Sequence, residues 1–229
     1  SAGIVGLVVA TVASITGLYD TQEDLDRYAA LVRDNAALIV QAGPGYGLQD
    51  PEVPATLGAV VMNELGVWTI LAVSLMSLFM VVRHTRTEEE TGRSETVRAL
   101  PVGRHAPLTA AIVATVITNV VVAAAVTILV IVYDLSVAGS VAFGATLLGA
   151  GAVFTAVGAV AAQMASGSRA ALGLGGLVLG IAYALRAVGD VALPALTWLS
   201  PIGWAQGIRA YADERWWVLV LPVTASVAL

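Results

Sequence analysis

The residues able to take part in charge or acid–base chemistry are few, and their densest group sits between positions 83 and 105: Arg83, His84, Arg86, Glu88, Glu89, Glu90, Arg93, Glu95, Arg98, Arg104 and His105. The charges are mixed and densely spaced, with no apolar face among them. Glu95 and Arg98 are three apart, so on a helix their side chains would be neighbours. Pro101 would break such a helix soon afterwards. Two readings fit: a solvated loop held near an anionic inner leaflet by its arginines, or a docking helix for a cytoplasmic partner. Catalysis is not among them. There is no cysteine, so disulfides, thiolate metal sites and cysteine nucleophiles are excluded. All eleven basic residues are arginine, and without a lysine no Gly-x-x-x-x-Gly-Lys-[Ser/Thr] phosphate loop can form. His84 and His105 lack metal-ligand spacing, so no metal is expected, and no basic-aromatic stripe points to nucleic acid.

The remaining candidates are isolated polar residues inside apolar runs. Asn119 lies mid-run, where an unpartnered amide is costly, so it should face another helix or a cavity. Asn63, Glu64 and Trp68 stand near the outer end of the run 58–82, and Arg186 and Asp190 are four apart near the outer end of 170–189. Arg186 and Asp190 either pair or reach for the interface, or touch a substrate. Asn119, Asn63, Glu64, Trp68 and Arg186 are therefore the candidates for a substrate pathway. Gln163 falls at an inner boundary. Thr115, Thr118 and Thr127 can bond back to their own helix. Gly176 and Gly180, with Gly173 and Gly175, give one run a small-residue face suited to close helix packing.

The elements that must carry these residues are membrane spans. Hydrophobic residues make up 58% of the chain, charged residues only 12%, and the mean hydropathy is +0.86. A soluble domain has roughly 25% charged residues. Apolar runs cover about 1–18, 58–82, 106–132, 141–164, 170–189 and 216–229. A bilayer span needs about 20 apolar residues. At ~1.5 Å per residue, the run 106–132 makes a helix of about 40 Å, which can cross with tilt. The expected fold is an all-α integral membrane bundle of six spans in one domain, 1–229. The first run lacks a basic n-region and a cleavage site, so it is not read as a signal peptide. Both ends fall inside apolar runs, which suggests a piece of a longer chain. The bias to arginine, alanine, valine and glycine suggests a high-GC genome.

Arginine placement sets the orientation. The 83–105 loop holds five arginines and the 165–169 loop holds Arg169, whereas 19–57 holds Arg27 and Arg33 against seven acidic residues and 133–140 holds none. Basic loops stay inside, so 83–105 and 165–169 are expected to be cytoplasmic, with 19–57, 133–140 and 190–215 outside. These assignments alternate across all six runs.

The outer segment 19–57 opens with Thr21-Gln22-Glu23-Asp24, a capping-box-like start. Leu25, Tyr28, Val32, Ala36 and Ile39 recur at helical spacing, and Gly43-Pro44-Gly45 stops the helix. One amphipathic helix on the outer surface is expected, either as a packed cap or as a gate above a substrate path. The 190–215 segment reads as interfacial or re-entrant. Its Pro201-Ile202-Gly203-Trp204, followed by Arg215-Trp216-Trp217, suits headgroup anchoring or ligand stacking.

Glu88, Glu90, Gly92, Glu95, Pro101, Val102 and Arg104 fill a Glu-x-Glu-x-Gly-x-x-Glu-x-x-x-x-x-Pro-Val-x-Arg spacing that resembles the ABC-2 type exporter permeases. The resemblance implies that Glu88, Glu90, Gly92, Arg93, Glu95, Arg98, Pro101 and Arg104 belong to a coupling region contacting an ATP-binding subunit. Arg93-Ser94 and Arg98 depart from the common pattern, toward a more polar surface and a dedicated partner. Asn35-Ala36-Ala37-Leu38 with Gly43-Pro44-Gly45-Tyr46-Gly47, and Trp198-Leu199-Ser200-Pro201-Ile202-Gly203-Trp204 with Arg215-Trp216-Trp217, are similar to the actinobacterial "exporter of polyketide antibiotics" and multidrug efflux permeases. That likeness implies the N-terminal six-helix half of a type V exporter-like bundle in the cell membrane. It further implies a second six-helix half, a hydrophobic small-molecule cargo, and a partner ATPase dimer that binds ATP and magnesium; this chain needs no cofactor of its own. Besides a non-transporting membrane scaffold, two transport alternatives remain open. One is a lipid or glycan-precursor permease of the same architecture; the other is an ion-gradient-driven transporter without an ATPase.

Overall fold

The computed structural model describes residues 2–87 and 106–229, and every element among them is helical. Helix α1 (Ala2–Leu18) buries Ile4, Val8, Val12 and Ile15, one stripe at helical spacing, against the bundle. The chain then bends by 113° into α2 (Gln22–Arg33). Thr21 caps α2, its hydroxyl accepting from the Asp24 amide at 3.2 Å.

The single outer helix expected over 21–39 is two helices. Asn35 ends the continuity, because its Oδ1 accepts from the Ala37 and Leu38 amides at 3.1 and 3.3 Å and starts α3 (Ala36–Ala42). Asparagine offers the backbone a local partner that competes with helix continuation, and the cap prevails over the apolar periodicity here. Gly43, at φ +102°, stops α3 where the Gly-Pro-Gly sequence says it should.

Four long apolar helices form the bundle: α4 (Leu57–Val82), α5 (Ala106–Val132), α6 (Val137–Met164) and α7 (Ser168–Val191). A π-helical turn, Arg83–Thr87, extends α4. Helix α6 begins four residues before its apolar run because the Ser136 hydroxyl accepts from the Gly139 amide and caps it. After α7 the chain folds into α8 (Pro194–Trp198) and α9 (Pro201–Gly207), each with proline in its first turn. A 3-10 turn, Trp216–Leu219, leads into α10 (Val220–Ala228).

By length and apolarity, four helices among the described residues can cross a bilayer, or five if the bent pair α1–α2 is one span. The run 216–229 forms only a short apolar helix, and α1 is about 26 Å long at ~1.5 Å per residue, below the ~30 Å of a hydrocarbon core.

Helix α6 is central, packing most extensively on α4 and α5. Its glycines make this possible. Gly144, Gly151 and Gly158 recur every seven residues and abut Thr127, Asn119 and Leu78 respectively. The small-residue contact expected at Gly176 and Gly180 is displaced within this chain: neither has a neighbour within 4 Å, while Gly175 lies against Leu78. Periodicity alone cannot say which of two small faces looks inward. Thr115 and Thr118 bond back to Ala111 and Ala114 as expected, but Thr127 donates across to the Ser140 carbonyl of α6.

Both arginine-bearing segments, 83–87 and 165–169, lie at one end of the bundle. Val82 packs with Ala165 and Ala171 there, and Arg86 Nε donates to the Ala162 carbonyl. The first turns of α4 and α6 and the last turn of α7 lie at the other end, beside α3 and α9.

Candidate functional site

Two polar clusters stand out in an otherwise apolar molecule. The first is mid-membrane. Asn119 on α5 is 3% exposed, and its Oδ1 accepts from the Ser77 hydroxyl of α4 at 3.1 Å. Its Nδ2 donates to Thr155 Oγ1 of α6 at 3.3 Å. The single Ser77 hydroxyl hydrogen is shared with the Val73 carbonyl, and Thr155 donates back to the Gly151 carbonyl. The expectation that Asn119 faces other helices therefore holds, and it faces two. In a medium with no competing water, such a cluster fixes the relative register of three helices. Thr155 also touches an apolar recess of about 520 Å³ lined by Leu108, Ile112, Ala159 and Gln163, open on the flank of α5 and α6.

The second cluster joins the outer segment to the bundle. The last four carbonyls of any helix lack partners within the helix, and for the seven-residue α3 these are supplied by α7 and α9. Arg186, 0% exposed, donates from Nη2 to the Val40 and Gln41 carbonyls at 2.9 and 3.3 Å, and from Nη1 to Ile39 at 3.4 Å. The Tyr183 hydroxyl donates toward Val40 and Gln41 at 3.4 Å, and its ring lies 4.7 Å beneath the guanidinium. Gln206 Nε2 of α9 donates to Ala42 at 3.0 Å, and Asn63 Nδ2 of α4 to Gly43 at 3.5 Å. A cation at a helix carboxyl end is also favoured by the helix dipole. Arg186 pairs with Asp190 Oδ2 at 3.4 Å, and Thr197 donates to the other carboxylate oxygen at 2.9 Å. The pairing reading of Arg186 and Asp190 is thus what the structure contains.

Around this joint, Arg209 lies 4.4 Å over the Tyr46 ring and pairs with Asp213, which Arg215 also holds at 2.8 Å. Burial, and then the Asp190 charge, push the Tyr46 phenol above its usual range despite Arg209 and Arg215. Asn63 Oδ1 accepts from Tyr28 of α2 at 2.9 Å, fastening the outer segment a second time. The cavity lined by Tyr46, Asn63, Gln206 and Arg209 is about 20 Å³, far below the ~300 Å³ of the smallest ligand pockets. This joint leaves no ligand-sized space among those residues.

Of the residues singled out for a pathway, Arg186 and Asn63 meet at this joint and Asn119 sits apart in the mid-membrane cluster. Glu64 is half-buried beside Asn63, and Trp68, 45% exposed, belongs to neither cluster. Glu88, Glu90, Gly92, Arg93, Glu95, Arg98, Pro101 and Arg104 lie outside the described residues. The tryptophans at this end of the bundle pack on each other: the Trp198 and Trp217 rings stack at 5.7 Å, and Trp204 Nε1 donates to the Trp198 carbonyl at 2.6 Å. Sequence reasoning missed Tyr183, Ser77, Thr155 and Gln206. Tyr183 stands one turn from Arg186, a spacing that could have signalled their stacking; the others carry no signal separating them from ordinary span hydroxyls and loop amides.

Long apolar helices, with a polar cluster at their centre and a polar joint at one end, make an all-helical, membrane-embedded protein. The particular likeness is to a multidrug efflux system permease protein of Mycobacterium tuberculosis, 39% identical over 227 residues, covering 98% of this chain and 40% of that protein. The chain spans about two-fifths of the length of the relative it matches. The resemblance to multidrug efflux permeases drawn from the sequence is borne out by this relative. No family model matches the chain.

Proposed function

We propose that this chain is the membrane-spanning permease part of an ATP-driven exporter in the cell membrane, with hydrophobic drugs or antibiotics as cargo. Residues 83–105 couple it to a separate ATP-binding subunit, which holds the ATP and magnesium. In this reading α1 and α10 complete six crossings, 83–105 and 165–169 face the cytoplasm, and a second six-helix half completes the pathway. The observation that carries it is the 39% identity to a multidrug efflux permease along nearly the whole chain. The mixed charges of 83–105 support the coupling role, and its described residues 83–87 lie at the bundle end that also holds Arg169. Among the described residues the side-chain partners of Asn119 are the hydroxyls of Ser77 and Thr155, not the ionisable groups that gradient-driven transporters tend to place mid-span.

The test is purification of the intact assembly in mild detergent, with mass spectrometry of its partners, repeated with Glu95→Arg and Arg98→Glu together. A P-loop ATPase that accompanies the unaltered protein and is lost from the variant is the expected result. Absence of any ATPase from both samples would overturn the coupling assignment and favour a gradient-driven transporter. Drug accumulation in cells lacking the chain separates drug cargo, for which accumulation rises, from a dedicated lipid cargo, for which it does not change.

A further inference from the structure

The outer joint is closed by a helix that has no core of its own. None of the seven residues of α3 is fully buried, and only Leu38, Ile39 and Ala42 are partly so, so apolar packing holds α3 to the bundle weakly. What holds it is the set of hydrogen bonds to its terminal carbonyls from Arg186, Tyr183 and Gln206, several of them at 3.3–3.4 Å, near the long limit for such bonds. Segments with few buried contacts and solvent-near hydrogen bonds open at low free energy. Immediately after α3 the chain runs through Gly43, Gly45 and Gly47, all at positive φ, a backbone able to absorb a large change of direction. Gly47 lies against Ala59 and the Tyr211 carbonyl, so the far side of this glycine run is packed on the bundle, whereas the α3 side is tied by side-chain amides, Gln206 to Ala42 and Asn63 to Gly43.

We infer that Arg186 is a latch: α3 docks on it in the closed state and leaves it when the outer mouth opens for cargo to exit. Arg186 is thus a positioning residue for transport rather than a cargo contact. A guanidinium stripped of all partners could not stay in so enclosed a place. Asp190 solves this, because it sits one turn along the same helix and remains a counter-charge after α3 departs, held ready by Thr197. The guanidinium also keeps the Tyr183 ring, likewise on α7. Every group that stays with Arg186 is on its own helix or on α8, and every group that leaves is a carbonyl of α3. The separation therefore runs along one boundary.

This inference rests on the permease reading, and two measurements on the intact full-length assembly test it separately from that reading. The first compares amide exchange over 36–43 in nucleotide-free and ATP-plus-vanadate-trapped states. Faster exchange there on trapping, by tenfold or more and without a like change in α4 or α6, is expected. Unchanged protection of α3 in an assembly that still hydrolyses ATP would overturn the latch and leave the permease reading standing. The second uses an assembly cleared of any cysteine elsewhere, since residues 1–229 contain none. Val40→Cys with Tyr183→Cys, both solvent-accessible positions, is bridged by a cleavable bis-thiosulfonate, and ethidium efflux is followed. The bridged protein should lose most of its efflux, and reduction should restore it to the level of the unbridged double variant. Efflux at the unbridged rate from fully bridged protein would overturn the latch. Absence of drug efflux from the unaltered assembly as well would instead overturn the permease reading, and the exchange comparison would still decide whether α3 detaches.

Discussion

The ring of Tyr211 occupies the space that a Cβ at Gly139 would fill. A methyl at Gly58, in the first turn of α4, would overlap the same ring. Tyr211 holds φ +62°, a left-handed conformation that costs a tyrosine roughly 1–2 kcal/mol, and its hydroxyl lies 3.0 Å from Ser140 Oγ. The ring is thus a wedge that sets the separation of the α4 and α6 ends, and the glycines are there to admit it. Gly139→Ala should cost about 1–3 kcal/mol through overpacking. The measurement is the thermal unfolding midpoint of the purified assembly in detergent; an unchanged midpoint would refute the wedge.

The same tyrosine gives the outer end an alkaline limit. Burial pushes its phenol up to about 12, and the hydrogen bond with Ser140 offsets this only in part. The folded value is raised above the unfolded 10.0, so the stabilisation is complete below about pH 10 and is lost as pH rises from there through about 12. Unfolding midpoints measured from pH 8 to 12 should therefore fall over that interval. The fall should be smaller in Tyr211→Phe, which cannot ionise. A phenylalanine variant that loses stability along the same curve would show that Tyr211 does not set the limit.

The wedge also shows what could be read from sequence and what could not. The four long spans, the cap at Thr21, the stop at Gly43 and the burial of Asn119 follow from local rules: run length, capping chemistry, and the cost of a lone amide in hydrocarbon. The break at Asn35 was equally local, but its capping signal competed with an unbroken apolar periodicity, and periodicity was the louder of the two. The outer joint was half legible. Arg186 and Asp190 announce themselves by spacing, but that Arg186 serves α3, more than 140 residues earlier in the chain, is a tertiary fact with no local trace. The same holds for Gly176 against Gly158: both lie in small-residue stretches, and only the assembled bundle distinguishes the glycine that packs from the one facing open space.

In the mid-membrane cluster, Gly151 and Asn119 are matched. A Cβ at 151 would fall 2.6 Å from Asn119 Nδ2 and 2.7 Å from its Cγ, with no backbone freedom to move aside. Asn119→Ala should cost about 0.6–1.7 kcal/mol, the range found for hydrogen bonds between membrane helices. Gly151→Ala should cost more, about 1–3 kcal/mol, because it displaces the amide from Ser77 and Thr155 and crowds it at once. The two together should cost clearly less than their sum, since the alanine at 119 vacates the space the new methyl needs. Chemical unfolding in mixed micelles gives all three values; strict additivity would mean that the two residues do not meet.

Asn35→Ala separates local from global stability at the outer cap. The substitution removes the oxygen that accepts from the Ala37 and Leu38 amides, and losing such a cap costs about 1 kcal/mol. That cost falls on α3, which buries none of its residues, and so should scarcely enter the unfolding of a bundle held by α4, α5 and α6. Amide exchange at 37 and 38 should therefore accelerate about fivefold, the equivalent of ~1 kcal/mol, while the thermal midpoint of the assembly stays put. If the midpoint fell in step with the exchange rate, α3 would be part of the cooperative core. A helix so integrated could not leave Arg186 without unfolding its surroundings, so this one substitution also bears on whether the outer mouth can open there.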